Sequence, residues 1–166
     1  MNYGGNTMKR IVSILLVVLV AAAVLAGCGG SDGGSGKAVD LPAILTKFNT
    51  DYSLSLEAVD TVEKLNRYYE IAVDDVKQFA AEKDTSDPNA PVELVLVEAV
   101  DSAAADRVES ALKERYKSVL RQYTSYTPEK VEMVKACDVT KDGNFVSMIV
   151  CDNAPDMVKY FKESVK

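Results

Sequence analysis

The pattern of apolar residues predicts an α+β domain. It has a four-stranded, mostly antiparallel sheet made from two hairpins, in the order α-α-β-β-α-β-β-α, with helices packed mainly on one face. Three observations predict it. The run Val92 to Val100 is apolar on both alternating faces and short, which marks a strand inside a sheet. Two turn signals, Asp84 to Pro91 and Asp142-Gly143, each sit between apolar runs and predict hairpins. Elsewhere apolar residues recur at helical spacing.

The first helix starts at Asp40, whose carboxylate can cap it, with Pro42 in the first turn and Leu41, Ile44, Leu45 and Phe48 on one stripe. Asn49 to Ser53 is polar and reads as a loop. A second helix carries Leu56, Val59, Val62 and Leu65 and runs to about Tyr68. The neighbouring rings of Tyr68 and Tyr69 read as packing at a helix end. Val76 to Lys83 is the first strand, after the solvated pair Asp74-Asp75. Glu93 and Glu98 fall near the two ends of the second strand.

Asp101-Ser102 caps the longest helix, Ala103 to about Tyr123, with Ala104, Val108, Ala111, Leu112, Val119 and Tyr123 as its buried stripe. Lys113, Arg115, Lys117 and Arg121 place positive charge toward the negative end of its dipole. Val131 to Thr140 reads as the third strand and Asn144 to Asp152 as the fourth. A two-residue turn at Asp142-Gly143 sets Lys141 opposite Asn144. Cys137 and Cys151 then fall on opposite faces, and a three-residue bulged loop would put them on the same face, so their pairing hangs on the turn. Asp152 or Asn153 caps a last helix with Met157, Val158, Phe161 and Val165 inward.

Ahead of this domain, Lys9 and Arg10 precede an apolar run from Ile11 to Ala26, the n- and h-regions of a secretory signal. The run is shorter than the ~20 residues of a spanning helix. Leu25-Ala26-Gly27-Cys28 resembles the lipobox of bacterial lipoproteins. The resemblance implies cleavage before Cys28, a diacylglyceryl group on its thiol, and residence on the outer face of the cytoplasmic membrane, as in Gram-positive bacteria. Residues 1–28 are thus expected as a lipoprotein signal peptide, 29–39 as a Gly/Ser-rich tether and 40–166 as one domain. Met8 is the better start, Met1 to Thr7 reading as an upstream extension. The eight residues Gly29 to Gly36 give a mean reach of about 15 Å. Two acyl chains hold more firmly than one, since each buried CH₂ contributes ~0.8 kcal/mol.

Cleavage removes two cations and no acid, so the net charge of −6 becomes −8. An acidic domain with no basic stripe excludes nucleic acid as a partner. There is no histidine. That excludes His-based triads, Cys-His pairs and His-containing zinc sites. No P-loop, GxGxxG, CxxC or HExxH occurs, and no cofactor or metal is expected.

Several segments together resemble a family. They are Tyr-Tyr-Glu-Ile-Ala-Val-Asp-Asp-Val (Tyr68 to Val76), Glu-Leu-Val-Leu-Val-Glu-Ala (Glu93 to Ala99), the helix holding Arg115 and ending at Tyr126-Thr127-Pro128, and Asp142-Gly143-Asn144-Phe145-Val146. With the lipobox they resemble lipoproteins of Clostridia-type bacteria that carry domain of unknown function 4358, over roughly Leu41 to Lys166. Tyr69-Glu70-Ile71 departs from the Tyr-Gly type of turn common in that family. The resemblance implies location and architecture and brings no catalytic residues.

The expected function is a binding or structural module, held to the membrane through the lipid on Cys28 and meeting an envelope protein or cell-wall component. Arg115, Arg121, Tyr123 and Tyr126, cationic and aromatic residues near a helix end, are the candidate surface. The alternative is a carboxylate-dependent cell-wall hydrolase using two of Glu93, Glu98, Asp138 and Asp152, which would have to converge within ~5–9 Å. A solute-binding transporter lipoprotein is excluded on size, since two lobes are needed around a ligand.

Overall fold

The computed structural model describes residues 38–87 and 91–166. The signal segment, the lipobox with Cys28, and the tether to Lys37 lie outside the described residues, as does part of the Asp84 to Pro91 loop. No helix among the described residues is long and apolar enough to cross a membrane.

Helix α1 (Leu41–Tyr52) begins where predicted: the Asp40 carboxylate accepts from the Ala43 N–H at 2.9 Å. Its end is later than expected. Asn49 stays helical because its side-chain amide donates to both oxygens of Glu82 at 3.0 and 2.8 Å, a tertiary tie that outweighs its loop preference.

The expected second helix is divided. Glu57–Ala58 forms a short edge strand, β1, and helix α2 covers only Val62–Tyr69. The Thr61 hydroxyl accepts from the Lys64 N–H at 3.2 Å and so starts the helix at Val62. The residues before it meet backbone needs by pairing with the next strand, Glu57 opposite Lys83 and Ala58 opposite Glu82.

Strands β2 (Val76–Lys83) and β3 (Glu93–Ala99) form the first hairpin, and every residue of β3 is buried. Helix α3 (Ser102–Tyr126) is capped by Asp101, whose carboxylate accepts from the Ala104 N–H at 2.7 Å. The segment expected as the third strand is helical in its first part: a 3₁₀ turn at Pro128–Lys130 leads into α4 (Val131–Ala136), and β4 is only Val139–Asp142. The β-branched Val131 and Val134 suggested a strand, but they stand three apart and face α3, where the Tyr116 hydroxyl donates to the Val134 carbonyl at 2.9 Å.

β5 (Phe145–Val150) returns from β4 through Gly143-Asn144, not Asp142-Gly143. Asp142 faces Phe145 and Lys141 faces Val146, so the turn lies one residue later and each partner two residues further on than expected, which leaves every side chain on its expected face. Gly143 takes φ +56, the left-handed conformation such a turn requires. Cys137 caps α4 outside the ladder, and both it and Cys151 are free and buried. The final helix, α5, spans Ala154–Ser164 with Ala154, Met157 and Phe161 buried.

The sheet therefore has five strands in the order β1-β2-β3-β5-β4, all antiparallel, with five helices among the described residues. The fifth strand is the β1 edge. Helices also cover both faces, not mainly one. Glu82 and Gln78 bond α1 and the residue before it, Asn49 and the Val39 carbonyl, on the face of Leu94 and Leu96. On that side α5 lies beside α1, the Phe48 and Tyr160 rings meeting edge-on at 6.0 Å. The opposite face, with Val95, Val97 and Lys141, meets α3 through the contacts of Lys141 with Asp106 and Glu109. A central strand buried on both sides requires this three-layer arrangement.

Candidate functional site

The site grows from Glu93. As the first residue of β3 it faces α3, with Lys83 and Val150 as its cross-strand neighbours. Its side chain is completely buried, and a buried carboxylate must be paired. Arg115 of α3 supplies the partner: Nε donates to Oε2 at 3.0 Å and Nη2 donates to Oε1, a two-pronged ion pair. The hydrogen bonds and charge of Glu93 stabilise the protonated guanidinium and raise its pKa. Nearby, the Lys83 ammonium sits 4.4 Å from the centre of the Tyr68 ring.

Tyr69 closes α2 against this pair. It is only 2 % exposed, and its hydroxyl is buried without a hydrogen-bond partner among the described residues. Burial, and next the Glu93 carboxylate, push its pKa above the ordinary phenol range, so the group is a neutral donor. The following residue, Glu70, has φ +58 and its N–H donates to the Asn66 carbonyl at 2.8 Å. This is the left-handed helix ending usually given to glycine, so the turn is kept although Glu stands there.

Between this turn and α3 lies a cleft of about 280 Å³. Tyr69 and Glu70 form one wall. Ala111, Glu114, Arg115, Ser118 and Arg121, spaced at helical intervals on α3, form the other. Glu114 is engaged by Lys117 at 2.7 Å. Arg115 also borders a second cleft, of about 300 Å³, with Lys83, Asp84, Thr85, Pro91 and Gln122.

The four residues of the predicted surface do not converge. Arg115 and Arg121 share the cleft. Tyr123 is core, 1 % exposed, its hydroxyl donating to the Pro91 carbonyl at 3.3 Å. Tyr126 is 66 % exposed at the helix end. Helical geometry separates them, since Arg121 and Tyr123 are two residues apart and point to different sides.

The strand carboxylates do not form a catalytic pair either. Glu93 and Glu98 are five residues apart on one strand and so face opposite sides of the sheet. Glu98 accepts from Lys77 at 2.6 Å and Gln78 at 2.5 Å. Asp138 accepts from the Val139 N–H at 2.8 Å, and Asp138 and Asp152 are exposed. Among the described residues no three His, Cys, Asp or Glu side chains are grouped to hold a metal.

Sequence reading missed Glu70 and the pairing of Glu93 with Arg115. It placed Tyr69 in the packing but overlooked its hydroxyl. The available signal was a tyrosine, not a phenylalanine, one helical turn after Leu65, because a buried phenol normally finds a partner.

A family model described as "Domain of unknown function (DUF4358)" matches residues 49–151. No curated protein and no solved structure matches the chain.

Proposed function

The chain belongs to the DUF4358 family, and on that premise we propose that it is a binding module tethered to the outer face of the cytoplasmic membrane through a lipid on Cys28. The observation that carries the binding reading is the Tyr69 hydroxyl, buried beside a cleft and without a hydrogen-bond partner among the described residues. A buried polar group in that state costs about 1–3 kcal/mol, a cost that a ligand's acceptor would relieve. The tether rests on the basic n-region, the apolar run and Leu25-Ala26-Gly27-Cys28. The Gly/Ser-rich composition of residues 29–36 supports the reading of this stretch as a tether, and the domain beyond it would meet an envelope protein or cell-wall component.

Intact mass of the protein from the membrane fraction, with and without globomycin, tests the tether. The expected species is residues 28–166 plus a diacylglyceryl group, lost when the lipoprotein signal peptidase is blocked. A full-length or unlipidated cleaved species would refute it.

A further inference from the structure

Among the polar groups that line the Tyr69 cleft, most of the charge is already spent. Arg115 is taken by Glu93, and Glu114 by Lys117. Arg121 and Glu70 remain, one of each sign, and neither has an ion pair among the described residues, Arg121 acting on Glu114 only through its longer-range charge. Two hydroxyls join them. Tyr69 is the buried, unpartnered one. Ser118 makes no hydrogen bond among the described residues, whereas Ser110, Thr124 and Ser125 on the same helix each donate to the carbonyl four residues back.

From this arrangement we infer that the cleft binds a small zwitterion, carboxylate and ammonium on one amino-acid-sized molecule. The carboxylate is received by Arg121 with the Tyr69 and Ser118 hydroxyls, and the ammonium by Glu70. The inference rests on the binding-module reading above and adds the chemistry of the ligand.

Charge decides between ligand classes. A simple anion would meet Arg121 but also the unneutralised Glu70, and a simple cation would meet the reverse. A ligand of opposed charges meets a complementary side chain at each of its ends. Size agrees, because about 280 Å³ lies at the lower bound of small-molecule pockets, which run from roughly 300 Å³ upward. The backbone adds a second sign. Glu70 holds φ +58, a conformation that costs any residue with a Cβ, so a carboxylate is present where the backbone favours glycine. Tyr69 stays protonated and so has a hydrogen to offer a ligand's oxygen, which a carboxylate on that side would accept.

The test is ¹⁵N–¹H shift mapping on the full chain in mild detergent, titrated with glycine, L-alanine and D-alanine. N-acetylglycine, which lacks the ammonium, and glycinamide, which lacks the carboxylate, are the controls. Saturable shifts at residues 69–71 and 111–121 are expected from the amino acids. The two controls, and the variants Arg121→Gln and Glu70→Gln, should each bind at least about tenfold more weakly, the loss of one charge-assisted contact. Both substitutions are at the surface, and an otherwise unchanged spectrum shows that each variant is folded. N-acetylglycine binding as tightly as glycine would overturn the zwitterion while leaving a binding module in place. So would unchanged affinity in Glu70→Gln. No saturable shift from any probe would overturn both this inference and the cleft as the module's binding site.

Discussion

Replacing Arg115 by methionine strands the Glu93 carboxylate in a site with no access to water. Two hydrogen bonds from the guanidinium are lost, and the acid is wholly buried. Removing one partner of a buried ion pair costs 3–5 kcal/mol in general. Two features place this case at the lower end. The Arg115 side chain is a quarter exposed, and Lys83 sits opposite Glu93 on the neighbouring strand as a second cation. The expected loss is therefore about 3 kcal/mol, or roughly 10 °C in Tm for a domain of this size. Urea unfolding followed by circular dichroism measures it. The double variant Glu93→Leu with Arg115→Met removes both charges at similar volume and should return to within about 1 kcal/mol of the original stability. A double-mutant cycle then shows strong coupling. Losses that simply add, or a single-variant cost below about 1 kcal/mol, would refute the claim that this pair pins α3 to the head of β3.

Other outcomes follow from the same structure. Tyr69→Phe removes a buried hydroxyl that has no partner among the described residues, so the unliganded protein should gain about 1 kcal/mol in stability; a fall in Tm would mean that the group is satisfied after all. The Asp75 carboxyl is held below its ordinary pKa, chiefly by its hydrogen bonds from Arg107. The unfolded chain thus takes up the proton first as pH falls. The contribution is complete at neutrality, starts to fail near the ordinary carboxylate pKa of about 3.9, and is gone below the folded value. Tm measured against pH should fall less steeply on the acid side in Asp75→Asn, and identical acid limbs would contradict the argument. Burial pushes the Cys151 thiol up to about 11 and also raises Cys137. Both should resist alkylation at pH 8 until denaturant opens the core, whereas modification at the rate of free cysteine would show the thiols to be accessible.

The sequence reported most where one local signal governed the element. Asp40 and Asp101 name their helices correctly because a cap acts within three residues. Val92 to Val100 reads as an interior strand because every position is apolar or paired, and β3 is buried throughout. Errors came where a distant partner decides. Glu57 and Ala58 are strand because the edge of β2 needs a neighbour, a fact written in Glu82 and Lys83 and not in the local spacing. Val131 to Ala136 is helix because α3 offers a surface to valines three apart. The turn moved by one residue, and the partners by two, because both Asp142-Gly143 and Gly143-Asn144 satisfy the turn pattern, and only the ladder selects between them. Helices on both faces could have been inferred from β3 itself, since a strand apolar on both sides cannot leave one of them to water.

The candidate site shows the same division between composition and pairing. Arg115 and Glu93 were each singled out, but for different and incompatible roles, one as an exposed cation and one as a catalytic acid. The ladder brings Glu93 to the α3 face, and its burial then removes both roles at once: the acid is engaged by a guanidinium, and the guanidinium is no longer free for a ligand. What remains beside the pair are the side chains of Tyr69, Glu70, Ser118 and Arg121, which make no hydrogen bond or ion pair among the described residues. A rigid ion pair adjoining side chains that are not engaged with one another has a consequence for binding. The wall carrying Arg115 is fixed before a ligand arrives, so little ordering cost falls on that side, and affinity depends on the groups still open. Arg115→Met should therefore weaken binding through loss of position, and Arg121→Gln through loss of contact. The two differ in measurement, because only the first also lowers the stability of the unliganded protein.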